Sequence, residues 1–143
     1  VISRAGFSRL IGLDVYVNGS FLNAYEGDGI IISTPTGSTG YNLSAGGPIV
    51  DPMARLMIIT PVCPHSLTSK SIVLPSDAKV SIEIAKKRKT QDTEAIVSFD
   101  GGNDFELAAG DVLDICVSQR TTQLVKASDV NFYEILRNKL GGK

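Results

Sequence analysis

The chain has 143 residues, of which 43% are hydrophobic and 20% charged, with a formal net charge of -1. Such a length suits one domain, which buries roughly two-thirds of its unfolded surface, and the balanced charge excludes the basic excess of a nucleic-acid binder and the charged tracts of a disordered chain. There is no run of about 20 apolar residues and no basic-then-apolar leader, so neither a membrane span nor secretion is expected. In chain order, Val1 opens without an initiator methionine and "ISRAGFSRL" reads like the interior of something longer; a fragment is expected, although a processed terminus would look the same. Ile11 to Val17 alternates apolar and polar residues, then Asn18-Gly19 precedes "FLNAYEG", the pattern of a hairpin closed by a type I′ turn. Further strands are expected at Gly29 to Ser33, Leu56 to Thr60, Ser71 to Leu74, Lys79 to Ala85, Ala95 to Phe99, Val112 to Val117 and Gln123 to Lys126. Phe99 to Asp104 and Ala108 to Asp111 carry turn signals, and Lys86 to Glu94 reads as a solvated hairpin tip. One short helix is expected from around Ser38 and a second over Val130 to Leu140, capped by Ser128 or Asp129 and followed by Gly141. Its stripe of Phe132, Ile135, Leu136 and Leu140 would cover a sheet or a neighbouring subunit. The pattern is mainly β: a β-sandwich with a short helix inserted after the "TPTGSTGY" loop and a C-terminal helix.

The chemistry concentrates in "EGDGIIISTPTGSTGYNLSAGGPIVDP", Glu26 to Pro52. An apolar strand, buried on both faces by its pattern, ends at Ser33 and Thr34, because Pro35 has no N–H for the ladder. Thr36, Ser38 and Thr39 then offer hydroxyls, while Gly37 and Gly40 let backbone approach closely, and a helix beginning there would aim unpaired N–H groups outward. Those groups suit a phosphate or an amide, and Tyr41 offers a flat face for a base. A strand-to-helix connection with a hydroxyl cap would use the same residues, and the phosphate-loop pattern GxxxxGK[ST] is absent. Asp28, between Gly27 and Gly29, could accept from a ribose or simply make a turn. The two cysteines, Cys63 and Cys116, lack CxxC spacing; buried, reduced thiols and a cytoplasmic setting are expected. His65, the only histidine, is expected to be structural and hydrogen-bonded within its turn, since neither a nucleophile nor further metal ligands surround it.

"DGIIISTPTGSTGYNLSAGGPIV", followed by "ITPVCPHSLTSKSIVLPSD", "SFDGG" and the closing "NFYEILRNKL", closely resembles the C-terminal domain of bacterial NAD kinases, over nearly the whole chain. These enzymes phosphorylate the adenosine-ribose 2′-hydroxyl of NAD to give NADP. The resemblance implies that residues 1–143 form an NAD-binding and oligomerisation domain, and that a smaller α/β domain bearing a GGDG motif precedes it in the full-length protein. The general-base aspartate belongs to that motif; "EGDG" at Glu26 to Gly29 matches the family's second aspartate instead. No catalytic residue and no metal ligand is therefore expected in this chain, which alone should be inactive.

The resemblance places Asp28 by the nicotinamide-side ribose or carboxamide, and Thr39, Gly40 and Tyr41 at the nicotinamide end, with Thr36 and Ser38 on the same loop and Ser44 facing it. Gly40 departs from the family's usual alanine. Gly101 and Gly102, after Asp100, would lie near the ligand. The implied mechanism is in-line phosphoryl transfer from ATP or polyphosphate, assisted by Mg2+ or another divalent cation. The implied partners are NAD, ATP, the chain's own N-terminal domain and further copies in a dimer or tetramer, with neither nucleic acid nor membrane. A non-catalytic NAD(P)-binding or oligomerisation module would share the fold. So would a related lipid kinase, which should instead lack the full "TPTGSTGYNLSAGGPIV" run and present an apolar pocket.

Overall fold

Apolar residues at every second position leave each strand one face to bury, and here two antiparallel sheets bury those faces against each other. The computed structural model describes residues 1–5, 10–66, 69–86, 93–123, 125 and 129–141, without the side chains of 93 and 94. The strands are β1 Ile2–Arg4, β2 Ile11–Val17, β3 Ser20–Gly27, β4 Gly29–Ser33, β5 Leu56–Val62, β6 Ile72–Pro75, β7 Val80–Ile84, β8 Thr93–Phe99, β9 Gly102–Ala108 and β10 Val112–Ile115. A six-stranded sheet runs β6-β5-β4-β1-β8-β9 and a four-stranded sheet β10-β7-β2-β3. Ile2, Ile30, Met57, Ile59, Ala95 and Val97 of the first meet Ile11, Leu13, Val15, Val80, Ile82 and Ile84 of the second to form the core. The expected β-sandwich with an inserted helix and a C-terminal helix is the architecture found.

Asn18 and Gly19 both have positive φ, 51° and 78°, as a type I′ hairpin requires. Asp100 and Gly101 repeat the device at 50° and 76° between β8 and β9. Neither β9 nor β1 is among the expected strands. β9 is an edge strand whose alternation is confined to Phe105 and Leu107, directly after the turn-forming Asp100 to Asp104, too short a pattern to read as a strand. β1 is only three residues long and gains its place by pairing with both β4 and β8. Of the expected hairpin tip at Lys86 to Glu94, residues 87–92 lie outside the described residues. Of the strand expected at Gln123 to Lys126, residues 124 and 126 lie outside them, and Gln123 and Val125 are in no strand.

Three helical segments complete the chain: a 3-10 turn at Thr36–Thr39, α1 at Tyr41–Ser44 and α2 at Phe132–Leu140. The cap of α2 is Asn131 rather than Asp129, and Ser128 lies outside the described residues. The Asn131 side chain accepts from the Glu134 amide at 2.9 Å while the Glu134 carboxylate accepts from the Asn131 amide at 3.3 Å, a reciprocal capping box. No residue of α2 is fully buried: Phe132 and Leu136 of its stripe are half-buried, and Ile135 and Leu140 are exposed. The helix is tethered by the Tyr133 hydroxyl, which donates to Asp51 Oδ2 at 2.8 Å. The Met53 amide and then this hydroxyl hold the Asp51 carboxyl below its ordinary value, and the carboxylate in turn raises the Tyr133 phenol. A lowered acid is lost only in acid below its folded value and a raised phenol only in alkali above its own, so the tether spans the neutral range.

Cys63 and Cys116 are both exposed, which corrects the expectation of buried thiols. Cys63 sits in the turn that ends β5, at a positive φ of 44°, and Cys116 directly follows the edge strand β10. His65 is held in its turn by its backbone, whose N–H donates to the Glu26 carbonyl at 2.7 Å, while the residue itself is exposed.

Gly29 is buried where β4 meets β1, and a Cβ there would run into the Ile2 carbonyl oxygen and lie 3.0 Å from the Ser3 Cα. Both atoms are backbone in a paired strand and cannot turn aside. Gly29→Ala should therefore cost about 2 kcal/mol or more in urea denaturation, whereas Gly102→Ala, with open space at its Cβ, should stay within about 0.5 kcal/mol.

Candidate functional site: a polar loop folded back over the central strands

β4 lies between β5 and β1, and its side chains alternate between two buried environments. Ile30 points into the core cluster, whereas Ile31, Ile58 and Thr60 are buried outside it, on the sheet's other face. That outer face is covered by the loop that leaves β4 at Thr34. Four residues of 3-10 helix and four of α-helix are too few to be stable alone, so the loop's shape must come from what it is bonded to.

Those bonds converge on Ser38 and Asn42, which are 0% and 1% exposed. Ser38 Oγ accepts from the Val50 amide at 3.0 Å and donates to the Val50 carbonyl at 3.3 Å. The Asn42 side-chain amide donates to the carbonyls of Ser38 and Pro48, each at 3.0 Å, and its Oδ1 accepts from Thr60 Oγ1 at 2.7 Å. Thr60 Oγ1 in turn pairs with Ser71 Oγ at 2.9 Å. Every buried side-chain polar atom among the described residues has a partner, as burial demands. At the loop's start the Gly37 amide donates to Thr34 Oγ1 at 3.1 Å; neither short helix has a side-chain cap of its own.

This interior pinning turns the remaining polar residues outward. Thr36, Thr39, Gly40, Tyr41 and Ser44 are all exposed, Tyr41 by 56%. Of the expected ligand residues on the loop, Ser38 alone is sealed inside with its hydroxyl committed to Val50. Gly101 and Gly102 form the exposed β8–β9 turn. Registers of Ile2 with Ile30 and with Val97 bring that turn to the same end of the sheet as Ser33 and Thr34, about 10 Å away across the intervening β1. Asp28 lies at the opposite end of β4, separated from Ser33 by about 16 Å of extended chain. Its carboxylate is held by Arg4 at 2.8 Å, with the two side chains 27% and 34% exposed. The structure thus brings Thr36, Thr39, Gly40, Tyr41 and Ser44 together, sets Gly101 and Gly102 at the same rim, and leaves Asp28 at the far end.

Between the sheets at that rim opens a cleft of about 340 Å³, walled by Ile32, Ser33 and Thr34 on one side, Phe99 on another, and Ile115 and Arg120 opposite. Thr34, Phe99 and Arg120 are not among the residues expected from sequence. Thr34 is the first residue of the recognised "TPTGSTGY" motif and could have been included; Phe99 and Arg120 become neighbours of the loop only through β1 and β10. No group of three or more His, Cys, Asp or Glu residues that could hold a metal ion occurs among the described residues. No helix described is long and apolar enough to cross a membrane, which leaves β-barrels aside.

A family described as the ATP-NAD kinase C-terminal domain matches residues 1–127. The NAD kinase of Lachnoclostridium phytofermentans is 52% identical over 143 residues, which are 100% of this chain and 50% of that protein. Among solved structures, yeast NADH kinase complexed with NADH is similar at a TM-score of 0.70 and 35% identity, over 80% of this chain and 33% of that one. An NAD kinase from Archaeoglobus fulgidus in complex with ATP is similar at 0.72 and 29% identity, over 82% of this chain and 43% of that one. The chain spans about half the length of the curated relative it matches.

A Cβ at Gly40 would meet only the Gly37 carbonyl oxygen, at 3.3 Å. Gly40→Ala should therefore change the unfolding free energy in urea by no more than about 0.5 kcal/mol; a loss of about 2 kcal/mol would show that the loop is closed over Gly40 rather than open.

Proposed function

The chain belongs to the ATP-NAD kinase C-terminal domain family, and from that membership we propose that it is the acceptor-holding half of an enzyme that phosphorylates the adenosine-ribose 2′-hydroxyl of NAD. The observation that carries this reading is the outward set of Thr36, Thr39, Gly40, Tyr41 and Ser44 on a loop pinned from beneath. Hydroxyls and backbone amides there would hold the polar groups of NAD, and the Tyr41 ring, 56% exposed, offers its face to the nicotinamide. Positioning is the greater part of phosphoryl-transfer catalysis, and a loop with a fixed floor does not have to be ordered when NAD arrives.

The phosphoryl donor, ATP or polyphosphate, and the general base would come with the GGDG-bearing N-terminal half. A divalent cation would accompany the donor, and this chain's part would be to bind and orient NAD. Alone it should show no kinase activity. Asp28, at the far end of β4 and paired with Arg4, cannot share the nicotinamide end of its own chain's loop. A cytoplasmic setting completes the proposal.

The test is a ligand-observed NMR titration of NAD against this chain, following nicotinamide and adenine protons separately. Saturation transfer to the nicotinamide protons should be seen and should be lost in Tyr41→Ala. Transfer that persists undiminished in Tyr41→Ala would remove the loop from the binding site.

A further inference from the structure

Buried polar side chains in the loop's floor are more elaborate than a strand-to-helix connection needs, and the Asn42 amide is their hub. It spends both N–H donors on carbonyls from either side of α1, Ser38 before it and Pro48 after it, and its oxygen on a hydroxyl of β5. It thereby ties the loop to itself and to the sheet through one planar group. The space is made by Gly47, which is buried and whose N–H donates to the Asn42 carbonyl at 2.8 Å; any Cβ there would run into the Asn42 side chain. Thr60 is shared in turn with Ser71, just ahead of β6, so the floor spans β4's neighbour and the strand beyond. Tyr41 precedes Asn42 directly and Thr39 follows Ser38, whose carbonyl the amide holds, so the outward residues adjoin the very points at which the loop is pinned.

We propose that Asn42, seated on Thr60 and admitted by Gly47, is a positioning residue for NAD: it touches no ligand and sets the placement of Thr39, Tyr41 and Ser44 against it. The inference rests on reading the outward loop as the NAD site. Its chemistry distinguishes it from mere packing. Aspartate has the same shape as asparagine but no N–H, so Asn42→Asp would set a carboxylate against the Ser38 and Pro48 carbonyl oxygens, and only its protonated form could donate to one of them. Glutamine, one methylene longer, has no room beneath Gly47.

The experiment is steady-state kinetics of the full-length kinase containing this chain, with Asn42→Asp, Thr60→Val, Thr60→Ser and Tyr41→Ala. Asn42→Asp should raise KM for NAD about tenfold at neutral pH, leave KM for ATP unchanged, and recover part of its NAD affinity as the pH falls towards 5. Thr60→Val should raise KM for NAD severalfold, and Thr60→Ser, which keeps the hydroxyl, should restore it. If Asn42→Asp does not fold, the Thr60 pair decides the matter. Unchanged KM for NAD in Thr60→Val while Tyr41→Ala raises it would overturn the role of the floor. If Tyr41→Ala also leaves KM for NAD unchanged, the loop is not the NAD site and the inference falls with that reading. Equal rises in KM for NAD and ATP would mean a general loss of structure and would contradict positioning.

Discussion

A single side-chain amide, sealed between a four-residue helix and the middle of a sheet, decides how the polar loop of this domain is presented. Short helices and glycine-rich turns have little intrinsic stability, and this loop is both. Its order comes from hydrogen bonds made out of reach of water, where a lost partner costs about 1–3 kcal/mol. Because Ser38, Asn42 and Thr60 satisfy one another and the backbone below, the hydroxyls and ring above face outward. Burying one set of polar groups is what leaves the other set facing outward.

The sandwich beneath serves this arrangement. Ile30 and Ile59 join the inner core while Ile31, Ile58 and Thr60 face the loop, so the central strands are covered on both sides. Antiparallel pairing then determines which turns share an end of the sheet. It places the Gly101 and Gly102 turn beside Ser33 and Thr34, with the inter-sheet cleft opening between them. It also sends Asp28 to the other end, where Arg4 holds it. Residues that stand within a dozen positions of one another in sequence are thus divided between two ends of the molecule.

Much of the fold was legible because its signals were local. Alternation marked β2 and β7, the continuous apolar run of Ile30 to Ile32 marked β4, and Asn18-Gly19 announced its hairpin through the positive φ it requires. β9 and β1 were not legible, since the apolar face of β9 is only Phe105 and Leu107 beside a turn signal and a three-residue strand owes its existence to its partners. The motif Thr36 to Ser44 named the loop, but spacing alone could not separate Ser38, which faces in, from Thr36 and Thr39, which face out. Nor could it reveal that Asn42 is joined to Thr60 and Gly47; the Thr60 partner comes from a strand 18 residues later. The thiols were misread because small hydrophobic side chains are usually buried, whereas these two sit in a turn and at the end of an edge strand.

Hydrogen–deuterium exchange of the full-length protein containing this chain, with and without NAD, tests the central claim most directly. The account predicts that Thr60 and its neighbours in β5 are already protected in the free protein, and that NAD slows exchange chiefly across residues 36–44. A loop that exchanges freely until NAD arrives and becomes protected together with β5, or NAD-dependent protection that bypasses residues 36–44, would contradict it.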